Sequence, residues 1–135
     1  GTTDYAVHIF HEALKNKSYT SFLSKNTTLP MMYMNDAIKA TLKIMHAGEE
    51  YIKIRSSYNI AGLSFSPQEL AQEIKKHIPD FEIHYKSDYR QSIADSWPQN
   101  IDDSVAYDDW NWKSSFNLQE ITTDMLKNIE TLITK

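Results

Sequence analysis

The sequence contains no cysteine among its 135 residues. This absence excludes a disulfide framework, a zinc site built from thiolates and a cysteine nucleophile. It also fits a reducing compartment, so we expect the protein to be cytoplasmic, or to lie in the mitochondrial matrix if its source is eukaryotic.

Glycine is also scarce, and its distribution excludes a phosphate-binding loop. The three glycines are Gly1, Gly48 and Gly62. They stand too far apart for the glycine-rich turn of a dinucleotide-binding site or of a P-loop. We therefore predict no cofactor-binding residue within this chain.

Charge and hydropathy disfavour two classes of partner. The formal net charge of −4 gives phosphate backbones and anionic lipids no positive surface to bind. No apolar run approaches the roughly 20 residues that a bilayer-spanning helix needs. We expect neither nucleic acid nor a membrane as a partner.

Recognisable catalytic and metal-binding motifs are missing too. None of the eight tyrosines is followed four residues later by lysine, a spacing that would bring a phenol and an ammonium group together for proton transfer. His8 and His11 are three residues apart, whereas the helical zinc motif needs two histidines four apart. We predict no catalytic residue and no metal site.

The sequence does contain enough apolar material for one domain, with 41% hydrophobic and 12% aromatic residues. We treat residues 1–135 as a single unit. Apolar periodicity predicts five helices, over 3–16, between Asn35 and Gly48, between Ser66 and Pro79, over 102–110, and from Asn117 onward. Strands are predicted over 19–23, 29–34, 57–61 and 81–85, and residues 87–100 show an irregular pattern.

Capping signals place the ends of several predicted helices. Ser66 and Glu69 form a capping box with Pro67 at the first helical position. Asn35 and Asn117 are candidate caps, and Gly48 is a candidate left-handed stop. Strands that alternate with helices indicate the α/β class, but too few strands are present to close a doubly wound sheet. The pattern therefore indicates part of a larger fold with an incomplete Rossmann-type sheet.

Two places in the sequence are suited to binding a small molecule. At Gly1, Thr2 and Thr3, backbone N–H groups and hydroxyls at a helix start could hold a carboxylate. Trp97, in a loop stopped by Pro98, could form one wall of a pocket. Each place has a plainer interpretation, an ordinary helix cap for the first and core packing for Trp97.

These two places also carry a family resemblance. The runs Gly1–Phe10, Leu29–Tyr33 with Asp36, and Ile93–Pro98 resemble the short-chain-type L-threonine 3-dehydrogenases. Broader features, Tyr58–Ile60 and Asp108–Trp112, are similar to the wider NAD-dependent epimerase/dehydratase group. The resemblance spans nearly the whole chain.

The resemblance implies that this chain is the C-terminal, substrate-binding portion of an extended short-chain dehydrogenase. NAD would be bound by an N-terminal half that precedes Gly1, and that half would also carry the catalytic residues. The full-length enzyme would oxidise L-threonine to 2-amino-3-oxobutyrate, with Gly1, Thr2 and Thr3 at the carboxylate and amino end of the substrate and Trp97 lining the pocket. We expect a homodimer, and we expect this chain alone to be inactive.

The chain departs from the family pattern at two positions. Asn111 stands between two tryptophans where the family tends to have glycine, and Asn35 stands where it more often has aspartate. Because asparagine tolerates the left-handed conformation and caps helices, neither change removes a functional residue.

Two alternative functions stay open at this point. One is a fragment of a nucleotide-sugar epimerase or dehydratase, for which the two arginines, Arg55 and Arg90, are a poor supply of groups for a diphosphate. The other is a free-standing, non-catalytic binding module.

Overall fold

The structure is a computed structural model that describes residues 4–54 and 58–133. Over these ranges the chain forms six α-helices, four short strands and one 3₁₀ turn. In chain order they are α1 (Tyr5–Asn16), β1 (Ser18–Ser21), β2 (Leu29–Met31), α2 (Met34–His46), the 3₁₀ turn (Glu49–Tyr51), β3 (Leu63–Phe65), α3 (Pro67–His77), β4 (Glu82–Tyr85), α4 (Arg90–Asp95), α5 (Ser104–Trp110) and α6 (Leu118–Ile133). The predicted α/β class is confirmed.

The strands form two separate pairs. Strands β1 and β4 run parallel, with Ser18 opposite Glu82 and Ser21 opposite Tyr85. Strands β2 and β3 run antiparallel, with Leu29 opposite Phe65. Over the described ranges these two pairs are the whole sheet structure, so the Rossmann-type sheet is incomplete, as predicted.

The main core lies where α1, α3 and α6 meet the parallel strand pair. These helices share apolar stripes at helical spacing, which they bury against one another and against β1 and β4. The fully buried members include Tyr5, Ile9, Leu23, Leu70, Ile74 and Phe81. A smaller cluster around Trp110 and Trp112 joins α5 to α2.

Three local predictions are confirmed by hydrogen bonds and backbone angles. The Ser66 side chain accepts from the Glu69 N–H at 3.3 Å, and the Glu69 carboxylate accepts from the Ser66 N–H at 3.3 Å. Asn117 caps α6 in the same way, accepting from the Glu120 N–H at 2.8 Å. Asn111 ends α5 with a left-handed φ of 57°.

The predicted ends of the second helix are wrong. Asn35 lies inside α2 rather than capping it, because the helix begins at Met34 with Tyr33 as its N-cap residue. Gly48 has a φ of −64° and is not left-handed. The start of α2 is anchored instead by the buried Asp36 carboxylate, which accepts from two backbone N–H groups far along the chain, those of Ser115 and Phe116.

The strand predicted at 57–61 is displaced. Ser57 lies outside the described residues, residues 58–61 form no strand, and β3 begins only at Leu63. Pairing with β2 sets the position of β3 in the chain, and Gly62 allows the two segments to approach closely enough to pair. A Cβ atom at Gly62 would lie 2.4 Å from the Met31 carbonyl oxygen, so the two chain segments approach closely only because this residue is glycine.

The interval 87–100, predicted to be irregular, contains the helix α4. Asp88 precedes the helix, and its side chain accepts from the Arg90 N–H at 2.9 Å. Contacts with residues distant in sequence hold α4 in place.

The part of the chain that the structure describes has no helix long and apolar enough to cross a membrane.

Candidate functional site

The parallel strands β1 and β4 deliver two polar segments to the same edge of the fold. Residues 22–28 follow β1, and residues 86–97 follow β4. The Lys86 N–H donates to the Ser21 carbonyl at 2.8 Å, so the two segments begin side by side. In α/β folds, ligands bind beyond the carboxyl ends of parallel strands, which makes this edge the first place to look for a site.

A cleft of about 200 Å³ opens between these two segments. Trp97 lies at its rim with 44% of its surface exposed. The backbone N–H of Trp97 donates to the Ala94 carbonyl, near the end of α4, at 3.1 Å. The tryptophan is thus a cleft wall and not a core residue. The cleft is lined by Ser24, Asn26, Thr27, Thr28, Gln91, Ala94, Asp95, Trp97 and Gln99.

The wall that follows β1 is a short loop rich in hydroxyl groups. The hydroxyls of Ser24 and Thr27 are 2.7 Å apart and hydrogen-bonded, and the Thr27 N–H donates to the Ser24 carbonyl at 3.1 Å. The Lys25 carbonyl accepts from the Gln68 N–H of α3 at 3.2 Å. This wall is therefore tightly held and offers hydroxyl donors and acceptors to a small polar molecule.

Gln91 of α4 joins the two walls. Its side-chain oxygen accepts from the Ser24 N–H at 2.8 Å, and its amide nitrogen donates to the Thr27 hydroxyl at 2.9 Å and to the Asp95 carboxylate at 2.8 Å. One amide thus ties α4 to the loop after β1 through its oxygen and one of its N–H groups, while its other N–H binds Asp95 within α4.

Arg90 makes a second tie between the same two segments. Its guanidinium lies over the Phe22 ring, 3.6 Å from the ring centroid, and it also binds the Asp88 carboxylate. The hydrogen bond from Arg90 holds the pKa of Asp88 below its ordinary value and raises the pKa of Arg90 itself. Because this guanidinium is already paired, it is a poor group for recruiting a phosphate.

The start of α1 lies at the same edge. Tyr5, in its first turn, meets Phe22 edge to face, with ring centroids 6.5 Å apart. The candidate residues Gly1, Thr2 and Thr3 lie outside the described residues. The described part of α1 directs its N-terminal end towards the segment that follows β1.

A second cleft, of about 440 Å³, lies between the first turns of α1, the segment 30–34 and α6. Its lining is mostly apolar, and the Tyr33 hydroxyl beside it donates to the Asp124 carboxylate. Burial is the main cause that raises the pKa of Tyr33 to about 12, and the hydrogen bond to Asp124 is the next largest cause. The raised pKa favours the neutral phenol, whose hydrogen bond to Asp124 links the segment 30–34 to α6.

A third, wider groove, of about 940 Å³, runs between α2 and α5. Exposed apolar residues of α2, Ile38 and Leu42, line it together with Lys39, Lys43 and Asp108. Lys43 donates to the Asn111 carbonyl at 2.8 Å, and Lys39 donates to the Lys113 carbonyl and the Ser115 hydroxyl.

Sequence reasoning identified Trp97 but missed three cleft residues, Ser24, Thr27 and Gln91. A weak signal was available for each of them. The run 24–28 is a polar loop directly after a strand, and Gln91 and Asp95 have the four-residue spacing of neighbours on a helix. Neither signal says that the two segments meet, because that depends on strand pairing.

The described residues contain no glycine-rich turn of the kind that binds a dinucleotide. Gly48 and Gly62 stand in separate loops, and the parallel strands are followed by Phe22 and Lys86 and not by a glycine-rich turn. The same ranges hold no cluster of three histidine or carboxylate side chains that could bind a metal ion.

Comparison with known proteins relates this chain to part of an enzyme family. The chain is 54% identical over 127 residues to mitochondrial L-threonine 3-dehydrogenase of Bos taurus, a match that covers 93% of this chain and 34% of that protein. It is 46% identical over 131 residues to an uncharacterised epimerase/dehydratase of Staphylococcus haemolyticus, covering 96% of this chain and 41% of the relative. The chain thus spans between about a third and two fifths of these curated relatives.

Solved structures give the same result. The GalE-like L-threonine dehydrogenase of Cupriavidus necator superposes with a TM-score of 0.92 at 53% identity, over 96% of this chain and 47% of that one. No protein-family model matches the chain. The predicted resemblance is confirmed: over nearly all of its length, this chain is related to part of the L-threonine 3-dehydrogenases and shares the fold of that part.

Proposed function

We propose that this chain is the substrate-binding portion of an NAD-dependent L-threonine 3-dehydrogenase. The observation that carries the proposal is the Trp97 cleft, which lies beyond the carboxyl ends of β1 and β4, where α/β enzymes bind their ligands. The 54% identity to the bovine enzyme supports the choice of substrate.

The chemistry of the cleft suits a small, polar amino acid. Hydroxyls of Ser24 and Thr27 and the Asp95 carboxylate offer hydrogen bonds, while the Trp97 indole supplies one broad apolar face. Such a wall limits side-chain size and excludes water. On this proposal, Trp97 faces the methyl end of L-threonine.

We assign the carboxylate and amino end of the substrate to Gly1, Thr2 and Thr3, which lie outside the described residues. The contact of Tyr5 with Phe22 supports this assignment, because it brings the start of α1 to the edge that carries the cleft. Backbone N–H groups at a helix start favour a carboxylate. These residues bind and orient the substrate, and proton and hydride transfer belong to the rest of the enzyme.

NAD is assigned to a part of the full-length enzyme other than these 135 residues. We infer that this chain alone has no measurable affinity for NAD and no dehydrogenase activity, since it has no glycine-rich turn. Titration calorimetry of the chain with NAD tests this. A micromolar dissociation constant would contradict it.

The decisive experiment is Trp97→Ala in the full-length enzyme. We expect the KM for L-threonine to rise about tenfold or more, the size of a lost apolar pocket contact, with an unchanged Kd for NAD. Tyr107→Ala is the matched control, because Tyr107 is similarly exposed, at 47% against 44%, and does not line the cleft. Equal losses for substrate and NAD would show that Trp97 supports the fold instead.

A nucleotide-sugar epimerase or dehydratase is the second candidate, favoured by the description of the Staphylococcus relative. Two features weigh against it. The cleft of about 200 Å³ is small for a sugar nucleotide, and Arg90 is already bound to Asp88 and stacked on Phe22. Turnover of L-threonine with no activity on a panel of nucleotide sugars would decide between the two. Binding of L-threonine without any turnover by the full-length protein would favour a non-catalytic module.

The proposal also covers the oligomeric state of the full-length protein and its location in the cell. We infer a homodimer of the full-length protein, which sedimentation equilibrium over a wide concentration range tests.

We infer a cytoplasmic location, or the mitochondrial matrix in a eukaryote, the latter supported by the mitochondrial bovine relative. Cell fractionation tests the location.

A further inference from the structure

Gln91 lines the cleft and forms hydrogen bonds through its side-chain oxygen and both of its amide hydrogens. Its oxygen accepts from the Ser24 N–H, and its nitrogen donates to Thr27 and to Asp95. The bonds to Ser24 and Thr27 connect α4 to a loop more than sixty positions away in sequence. Residues of both elements line the cleft, so the length of this bridge sets the distance between its two walls.

The bridge also fixes the position of Trp97. Asp95 is the last residue of α4, and Trp97 follows it by two positions, with its N–H bound to the Ala94 carbonyl at 3.1 Å. A helix of only six residues is not stable by itself, so its end takes its position from tertiary contacts. Within α4, the bond from Gln91 to Asp95 connects the residue that contacts the loop after β1 to the end of the helix, two positions before Trp97.

We propose that Gln91 is a positioning residue that sets the width of the Trp97 cleft and thereby its selectivity for a small 3-hydroxy amino acid. The inference rests on the proposed function of the cleft. Gln91 acts through Trp97 and the Ser24–Thr28 loop, and it touches no reacting atom.

The chemistry of the amide makes the proposal testable with nearly isosteric changes. In Gln91→Glu, the carboxylate still accepts from the Ser24 N–H, and the Thr27 hydroxyl can turn to donate to it. The carboxylate has no hydrogen to donate to Asp95, and it places a second negative charge beside that residue. The second change, Asp95→Asn, reverses the polarity of the pair. In the double variant the asparagine amide donates to the new carboxylate at position 91, so the bond between positions 91 and 95 is restored with the opposite donor.

The first readout is kinetic and uses the full-length enzyme. For Gln91→Glu we expect a several-fold rise in the KM for L-threonine, a smaller change in kcat and an unchanged Kd for NAD. Discrimination against L-threo-phenylserine, a 3-hydroxy amino acid with a larger side chain, should fall. The double variant Gln91→Glu with Asp95→Asn should recover most of both losses, which a role in packing alone would not produce.

The second readout is independent of activity and uses tryptophan fluorescence. Trp110 and Trp112 are 8% and 1% exposed, against 44% for Trp97, so quenching by acrylamide in this chain reports mainly on Trp97. We expect faster quenching in Gln91→Glu and recovery in the double variant. Gln72→Glu, at an exposed position of α3, is the matched control.

The outcomes separate the two proposals. If Trp97→Ala leaves the KM for L-threonine unchanged, the proposed function fails. If Trp97→Ala raises it while Gln91→Glu leaves KM, selectivity and quenching at wild-type values, the role of Gln91 is overturned. Should Gln91→Glu fail to fold, Thr27→Val removes one bond of the same bridge and is expected to shift selectivity and quenching in the same direction, and no shift would overturn the role.

Discussion

Phe22 lies between Tyr5 and Arg90. The Tyr5 ring meets it edge to face at 6.5 Å, and the Arg90 guanidinium lies over it at 3.6 Å. One buried ring thereby joins the start of α1, the segment after β1 and the first residue of α4. These are the elements on which the proposed substrate site depends.

Phe22→Leu tests whether this ring organises the site. We expect a loss of about 1–2 kcal/mol in the free energy of unfolding, since an aromatic pair contributes beyond its buried area. In the full-length enzyme the KM for L-threonine should rise as well. Phe81→Leu is the control, because Phe81 is also buried but precedes β4, away from the cleft. A similar rise in KM for both variants would mean that loss of stability alone impairs binding.

Lys17 ends α1 with a left-handed φ of 55°, a conformation that strains a residue with a side chain. We expect Lys17→Gly to raise the free energy of unfolding by about 0.5 kcal/mol, the relief of strain exceeding the extra entropy of the unfolded chain. Its ion pair with Asp80 is exposed, at 3.7 Å, and contributes little. Lys15→Gly, inside the helix, should lower the same quantity by about 1 kcal/mol. Urea denaturation measures both, and equal signs for the two variants would contradict the prediction.

Asp36 is fully buried and accepts from the Ser115 N–H at 2.7 Å and from the Phe116 N–H at 3.2 Å. In Asp36→Asn one of these N–H groups faces an amide that cannot accept from it, so we expect a loss of about 2 kcal/mol in the free energy of unfolding. Asp108→Asn, an exposed change of the same kind, should stay within about 0.5 kcal/mol of the wild type. Indistinguishable denaturation midpoints for the two variants would show that Asp36 does not anchor this loop.

The contrast between Ser66 and Asn35 shows which features the sequence could predict. The Ser66 box is complete within four residues, so the local pattern was sufficient. The start of α2 depends on the Asp36 carboxylate meeting a loop 79 residues away. No local pattern could show that Asn35 would lie inside α2 and not cap it.

The same reasoning applies to the site. An indole in a proline-stopped loop left two interpretations of Trp97 open, a pocket wall and core packing, and the family resemblance favoured the first. Trp97 lines the cleft with 44% of its surface exposed. Helix α4 and the Gln91 bridge were missed because the bond to Ser24 spans 67 positions and depends on β1 pairing with β4. The strand β3 was displaced for a related reason, since its position follows from the close passage of Gly62 beside Met31.

Tyr33 provides the last prediction, because its pKa depends on one identifiable partner. Burial, and then the hydrogen bond to and charge of Asp124, raise this pKa from 10.0 to about 12. The fold therefore favours the neutral phenol. The stabilisation that comes from the raised pKa of Tyr33 is complete below the unfolded-state pKa near 10. It is lost as the pH rises from about 10 to about 12.

Asp124→Asn should lower the pKa of Tyr33 from about 12 towards 10, without reaching the unfolded value because burial persists. NMR titration of the Tyr33 ring signals measures this directly. In parallel, the loss of stability above the unfolded-state pKa near 10 should be smaller in Asp124→Asn than in the wild type and should end at a lower pH, because the two pKa values of Tyr33 then lie closer together. Asp80→Asn, at an exposed position far from Tyr33 in sequence, serves as the control. An unchanged Tyr33 pKa in Asp124→Asn would show that burial alone accounts for the shift and that the strut between segment 30–34 and α6 does not depend on this pair.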